Sequence, residues 1–314
     1  MLLFKRGNNL MQTTQLSTFR SWPVVFTSAL FFFYMFIQMN LFSSINVELV
    51  KEFHFNAQQL SYLFAFFSYG SLIFLFPAGI MLDRLSVCKL LFINFAISII
   101  ATYAFSVVSS FWAMKVLRLI IGCTGAFSFL TSVKLASRWL EHRHIALAVG
   151  IVVTIGMISG IIAQTPLTIV TQQLGWRRAI QLVTLLGIFL TILQLIIVRD
   201  EPKGLKKFEI KEHTKLKKMG FWHSLSATIT NKQNWLSGLY ISLVNLPLFI
   251  FGGIWGVPYL THAHHFTQIE ATEITSMIFI GMIIGSPLTG LISDRIGLCT
   301  LRARESEAKE SSLR

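Results

Sequence analysis

Apolar residues in this chain neither alternate nor form one narrow stripe. They run on for twenty residues at a time, broken by short polar stretches. Eight windows exceed the roughly 18 apolar-dominated residues that mark a membrane-crossing helix. They predict spans over Pro23–Ser43, Leu60–Leu82, Leu90–Val108, Phe111–Val133, Ile145–Val170, Ile180–Val198, Trp235–Tyr259 and Thr275–Ile292. The fold class is therefore all-α, a polytopic membrane protein. Six spans follow one another closely, a basic stretch intervenes, and two more spans follow. This order predicts a six-helix bundle over 1–198, a linker over 199–234, two helices of a second bundle over 235–297 and a polar tail over 298–314.

The first apolar run is too long for the core of a signal peptide, and "NLFSSINVELV" offers no small-residue cleavage site. Composition agrees with the spans. The 314 residues are 54% hydrophobic and 13% charged, too few charges to coat a soluble domain of this size. Mean hydropathy is +0.64.

A net charge of +13 raises the question of nucleic acid. Its placement answers it. With the N-terminus inside, the inner segments hold 22 Lys and Arg and the outer segments three, namely Lys51, Arg177 and Arg178. That asymmetry is the positive-inside pattern, so the charge reports orientation, with both termini cytoplasmic. "KGLKKFEIKEHTKLKK" reads as an inner-face linker held near anionic lipid. The partners expected are the lipid bilayer and no nucleic acid.

Cys88, Cys123 and Cys299 are scattered, with no CxxC pair. "HAHH" (His262 to His265) has no cysteine or carboxylate spaced to complete a metal site. There is no nucleophile elbow, phosphate-binding glycine loop or HExxH. Neither a metal nor a cofactor is expected, and no enzyme.

A short pattern recurs. "GIMLDR" (Gly79, Asp83, Arg84) ends the second span, and "GLISDR" (Gly290, Asp294, Arg295) ends the eighth, the second span of its own block. An internal duplication explains the repeat, and duplicated halves are common in secondary transporters. Three further stretches join it: "RLIIGCTGA" from Arg118, "GIVVTIGMISG" from Gly150 followed by "LGWRRAI", and "WGVPYL" from Trp255. Together these resemble the major facilitator superfamily, over nearly the whole chain up to Gly297. Departures exist: Ser86, Val87 and Cys88 replace a glycine and a basic pair of the first motif, and Leu298 and Cys299 replace basic residues of the second.

The resemblance implies twelve helices in two halves, so a chain truncated after its eighth helix is the expectation. It implies a secondary transporter of a small solute by alternating access, in a bacterial inner membrane. The alternative is a truncated membrane protein that does not transport, or a membrane binding or assembly component. With eight helices, robust concentrative transport by this chain alone is not expected. In the family the Asp-Arg motif latches one conformation, a role implied here for Gly79, Asp83, Arg84, Gly290, Asp294 and Arg295. The usual partner of Asp83 is the eleventh helix.

Residue chemistry adds candidates. Arg118 lies about seven residues into its span, where a charge costs about 2.5–3.5 kcal/mol on insertion scales. It is expected to face a central cavity, contacting substrate or fixing the first helix. Lys115, one turn earlier, can snorkel to the surface. Gly122 and Gly125 share that face and permit close helix approach, as do Gly156 and Gly160 on the fifth span. Tyr34, Gln38, Gln164 and Asn245 are further polar groups within spans and candidates to line the cavity or bond a neighbouring helix. Pro166, Pro247 and Pro258 can break their helices. All fourteen carboxylates fall in loops or at span ends. The uncompensated Arg118 points to an anionic or zwitterionic solute.

Overall fold

The structure is a computed structural model that describes residues 18–140, 144–200, 230 and 232–296. Most of the basic stretch, the tail after Ile296 and Cys299 lie outside the described residues. Every regular element among the described residues is helical: α1 (Thr18–Phe53), α2 (Ala57–Arg84), α3 (Val87–Val107), α4 (Phe111–Trp139), α5 (Ile145–Leu174), α6 (Trp176–Ile197), α7 (Lys232–Pro247), a π-helical stretch (Leu248–Trp255), α8 (Gly256–His264) and α9 (Gln268–Ile296). Eight of the helical segments are long and apolar enough to cross a membrane, the seventh being Lys232–Gly252.

Five of the expected spans sit inside single helices that outrun them, the third and sixth end one residue past theirs, and the seventh, expected over Trp235–Tyr259, is divided among α7, the π-helical stretch and α8. α1 has 36 residues. At 1.5 Å per residue it reaches about 54 Å, well past a hydrocarbon core of about 30 Å. The apolar pattern marks only the part of a helix that meets lipid, while the helix continues through polar turns such as Asn46 to Phe53.

Two of the helix starts are capped by side chains. Asn56 accepts the amide of Gln59 while the Gln59 side chain accepts the amide of Asn56, a capping box that starts α2. Ser86 caps α3 through the amide of Lys89. Gly175 separates α5 from α6 at φ +82°, a left-handed conformation that costs glycine nothing.

α1 packs on α4, α5 and α6, α2 lies along α4, and α3 fits against α4 and α6. The second block attaches through α9, which runs along α5. Phe36, Met157, Leu248 and Phe279 form a buried cluster where α1, α5, the π-helical stretch and α9 meet. None of the residues of α7 is buried.

Candidate functional site

Arg118 is the natural starting point, because a guanidinium inside an apolar bundle must be held by something. It is 1% exposed. Its Nη1 donates to the carbonyl of Gln38 on α1 at 2.9 Å, and its Nε to the carbonyl of Leu63 on α2 at 3.3 Å. The rings of Phe42 and Phe67 flank it, each centroid 4.8 Å from Cζ. Both contacts favour the cation. Nη2 has no partner among the described residues. Arg118 therefore ties α4 to α1 and α2 and keeps one unused donor. No Asp or Glu is buried among the described residues, so the charge has no counter-ion.

Tyr34 and Gln38 share a face of α1 but turn toward α3. The Tyr34 hydroxyl and Gln38 Nε2 both donate to Thr102 Oγ1, at 3.2 and 2.8 Å. Thr102 donates onward to the carbonyl of Ser98. The Gln38 side-chain oxygen is buried without a partner. These side chains end in the core of the first block.

Gln164 reaches the other way. Its Nε2 donates at 2.7 Å to the carbonyl of Gly252, inside the π-helical stretch. Pro247, which brings no N–H, immediately precedes that stretch, and a π-turn often marks a functional site. The Gln164 side-chain oxygen is left unpaired. Asn245 spends its amide within α7, donating to the carbonyl of Ile241 at 2.8 Å. Pro166 sits within an unbroken α5 and Pro258 within α8.

Between α1, α2 and α8 lies an open cleft of about 370 Å³. Phe42, Ser43, Asn46, Phe64, Trp255 and His262 are among its walls. Phe42 is shared: one side lines the cleft and its ring faces Arg118. None of Arg118, Tyr34, Gln38, Gln164 or Asn245 lines the cleft. Sequence reasoning missed Phe42 and Asn46. The available signal was spacing, since Phe42 stands one helical turn beyond Gln38.

The glycines mark where helices touch. A methyl at Gly122 would run into the carbonyl of Phe67, and one at Gly70 into that of Leu119, so α2 and α4 cross in backbone contact. Gly125 is looser, with Met35 Cε 3.2 Å from where its Cβ would sit. Gly156 lies under the Phe32 ring, and a Cβ at Gly160 would come within 2.7 Å of Phe279. Along the α5–α9 seam, a Cβ at Gly150 would sit 2.6 Å from the Ser286 carbonyl, and one at Gly290 2.8 Å from that of Ala146.

The two Asp-Arg motifs are therefore placed differently. Gly290 is packed against α5, with Asp294 and Arg295 on the last turn of α9. Gly79 has nothing within 4 Å of its Cβ position, and Arg84 is exposed. Asp83 accepts from Lys134 Nζ of α4 at 2.7 Å, an ion pair within the first block. One turn along α4, Arg138 lies 3.9 Å from Asp200, whose carboxylate also accepts the Ser86 hydroxyl and the amide of Cys88. The substituted motif residues thus form a cap on α3 that Asp200 completes.

Comparison with known proteins places this geometry. The family model described as Major Facilitator Superfamily matches residues 27–303. The chain belongs to that superfamily and is a multi-pass membrane protein. It is 23% identical to a probable sulfoacetate transporter, SauU, of Cupriavidus necator, over 78% of this chain and 58% of the relative. It is likewise 23% identical to a probable galactarate/D-glucarate transporter, GudP, of Escherichia coli, over 79% of this chain and 60% of the relative. Among solved structures it resembles a bacterial homologue of the human lysosomal transporter Spinster in an inward-facing, unoccupied conformation, at a TM-score of 0.64 and 18% identity, over 89% of this chain and 63% of the other. The chain spans about three fifths of the length of these relatives.

Proposed function

We propose that this protein moves a small anionic or zwitterionic solute across a membrane by alternating access, with Arg118 as the charge that selects it. The observation that carries this reading is a buried guanidinium whose Nη2 has no partner and, among the described residues, no buried carboxylate to answer it. Uncompensated buried charge is costly, and in a membrane bundle it serves a pathway or a ligand. Phe42 stands between Arg118 and the open cleft, so a rotation of that ring would let a solute anion reach Nη2. Sulfoacetate and glucarate, named for the relatives, are both anions, which supports the charge assignment.

Gln38 and Gln164, each with an unpaired buried oxygen, would take the solute's donors. The Asp83 and Asp294 motifs would report the conformational state at the opposite end. The basic stretch would face the cytoplasm of a bacterial inner membrane, with both termini on that side. A second reading, a membrane protein that binds a solute without transporting it, is favoured by the wholly unburied α7.

The test is uptake by reconstituted protein of sulfonates, sugar acids and amino acids. Against the expectation drawn above from eight helices, this reading expects saturable accumulation of an anion, lost in Arg118→Ala and in Arg118→Met. The methionine variant keeps an unbranched apolar stem and removes the charged head with its two bonds to carbonyls, so its insertion is checked beside its uptake. Uptake by correctly inserted Arg118→Met at the wild-type rate would remove Arg118 from the mechanism. Saturable binding without accumulation would select the second reading.

A further inference from the structure

A second buried cation lies outside the proposed solute path. Lys115 is 7% exposed, one turn into α4. Its Nζ sits 3.3 Å from the ring centroid of Trp112, 4.8 Å from Phe111, 5.2 Å from Phe66 and 5.9 Å from Tyr62. Among the described residues no oxygen accepts a hydrogen bond from it and no carboxylate pairs with it. The rings stabilise the charge but leave its N–H groups unanswered. Arg177, the cation at the neighbouring end of α6, is by contrast already matched by Glu52 at 2.8 Å.

The ammonium is aimed at a helix end that also lacks an acceptor. Phe111 and Trp112, whose rings it faces, are the first residues of α4. The first-turn N–H groups of a helix have no partner within the helix. The Ser110 side chain caps none of them. The positive end of a 29-residue helix and a buried lysine one turn into it thus lie at the same end of α4. From there an apolar track runs along both helices. Val116 follows Trp112 on α4, while Tyr69 and Ile73 follow Tyr62 on α2, and all are about half exposed or more.

We propose that this end of α4 is an oxyanion site that takes the phosphodiester of a lipid headgroup. Lys115 and the first-turn amides hold the phosphate, Trp112 and Tyr62 wall it, and the acyl chains lie along the track. The depth, one turn from the end of a span with exposed aromatics beside it, is that of the headgroup layer. A soluble oxyanion shares the phosphate chemistry but has no use for the track.

The experiment follows the thermal unfolding midpoint of the full chain in a neutral detergent. The additives are short-chain phosphatidylglycerol, the matching diacylglycerol without phosphate, and inorganic phosphate. Phosphatidylglycerol is expected to raise the midpoint and diacylglycerol not. Lys115→Met, which keeps the apolar stem in the cage, should weaken the apparent affinity for the phospholipid about tenfold or more, and Lys115→Arg should keep most of it. Inorganic phosphate matching the phospholipid would replace the lipid by a soluble anion and overturn the assignment. So would an equal response to diacylglycerol in wild-type protein, or an unchanged response in Lys115→Met.

Discussion

At the scale of single residues, the glycines show how far one atom can decide packing. Gly79, Gly122 and Gly125 are all helical and all within spans, and their sequence contexts do not rank them. The structure does. A Cβ at Gly122 meets the backbone of α2, which cannot step aside. At Gly125 the nearest atom is the flexible end of Met35, and at Gly79 there is open space. Gly122→Ala is expected to lower stability by about 1–3 kcal/mol, the usual cost of overpacking. Gly79→Ala should be neutral or stabilising by up to about 1 kcal/mol, since glycine in a helix interior carries an entropic cost. Gly125→Ala should fall between them. Unfolding midpoints of the three variants in one detergent provide the measurement. A Gly122→Ala protein as stable as Gly79→Ala would mean that α2 and α4 do not cross there.

At the scale of elements, long apolar runs were legible because lipid demands them, and the structure places a helix over each one. The side-chain partners were less legible. Gln38 and Tyr34 form a plausible face of α1, yet what they meet, Thr102, lies 64 and 68 positions away on α3. Spacing along a helix reveals which residues share a face, but not which neighbour covers it. The π-helical stretch is a similar case. Pro247 signals a disturbance, while the carbonyl that Gln164 reaches at Gly252 depends on how α5 lies against that segment. The α5–α9 seam is the element-level feature most open to test. Thr165 Oγ1 and Thr272 Oγ1 stand 3.3 Å apart across it. In a background without Cys88, Cys123 and Cys299, the pair Thr165→Cys and Thr272→Cys should form an intramolecular disulfide under mild oxidation. With a protease site placed between α6 and α7, the two fragments should stay together until reduced. Fragments that separate after oxidation would show that α9 does not run along α5.

At the scale of the whole molecule, charge and packing point to the same two ends. Asp83, Lys134, Arg138 and Asp200 gather where α2 and α4 finish and α3 begins. Glu52, Trp176 and Arg177 gather at the other, where α1 finishes and α6 begins, with Trp176 Nε1 donating to Glu52 at 2.5 Å and Arg177 to the carbonyl of Ser106 at 2.9 Å. Between them the buried polar groups lie among helices, as a chain with lipid around it requires. Exposed ion pairs such as Asp83–Lys134 add little stability on their own. Their consistent placement instead divides the chain into two faces, and the count of basic residues sets the expectation for which face is which. In the sequence, the linker and most of the Lys and Arg fall on the same side of the spans as Asp83, so that end should be cytoplasmic. In the same cysteine-free background, a cysteine at Lys211, in the basic stretch, should react with a membrane-impermeant maleimide only after the membrane is opened. One at His265, beside the start of α9, should react in intact cells. Reversed labelling would turn the molecule over, and place the Lys115 cage on the cytoplasmic side and Asp83 on the outer one.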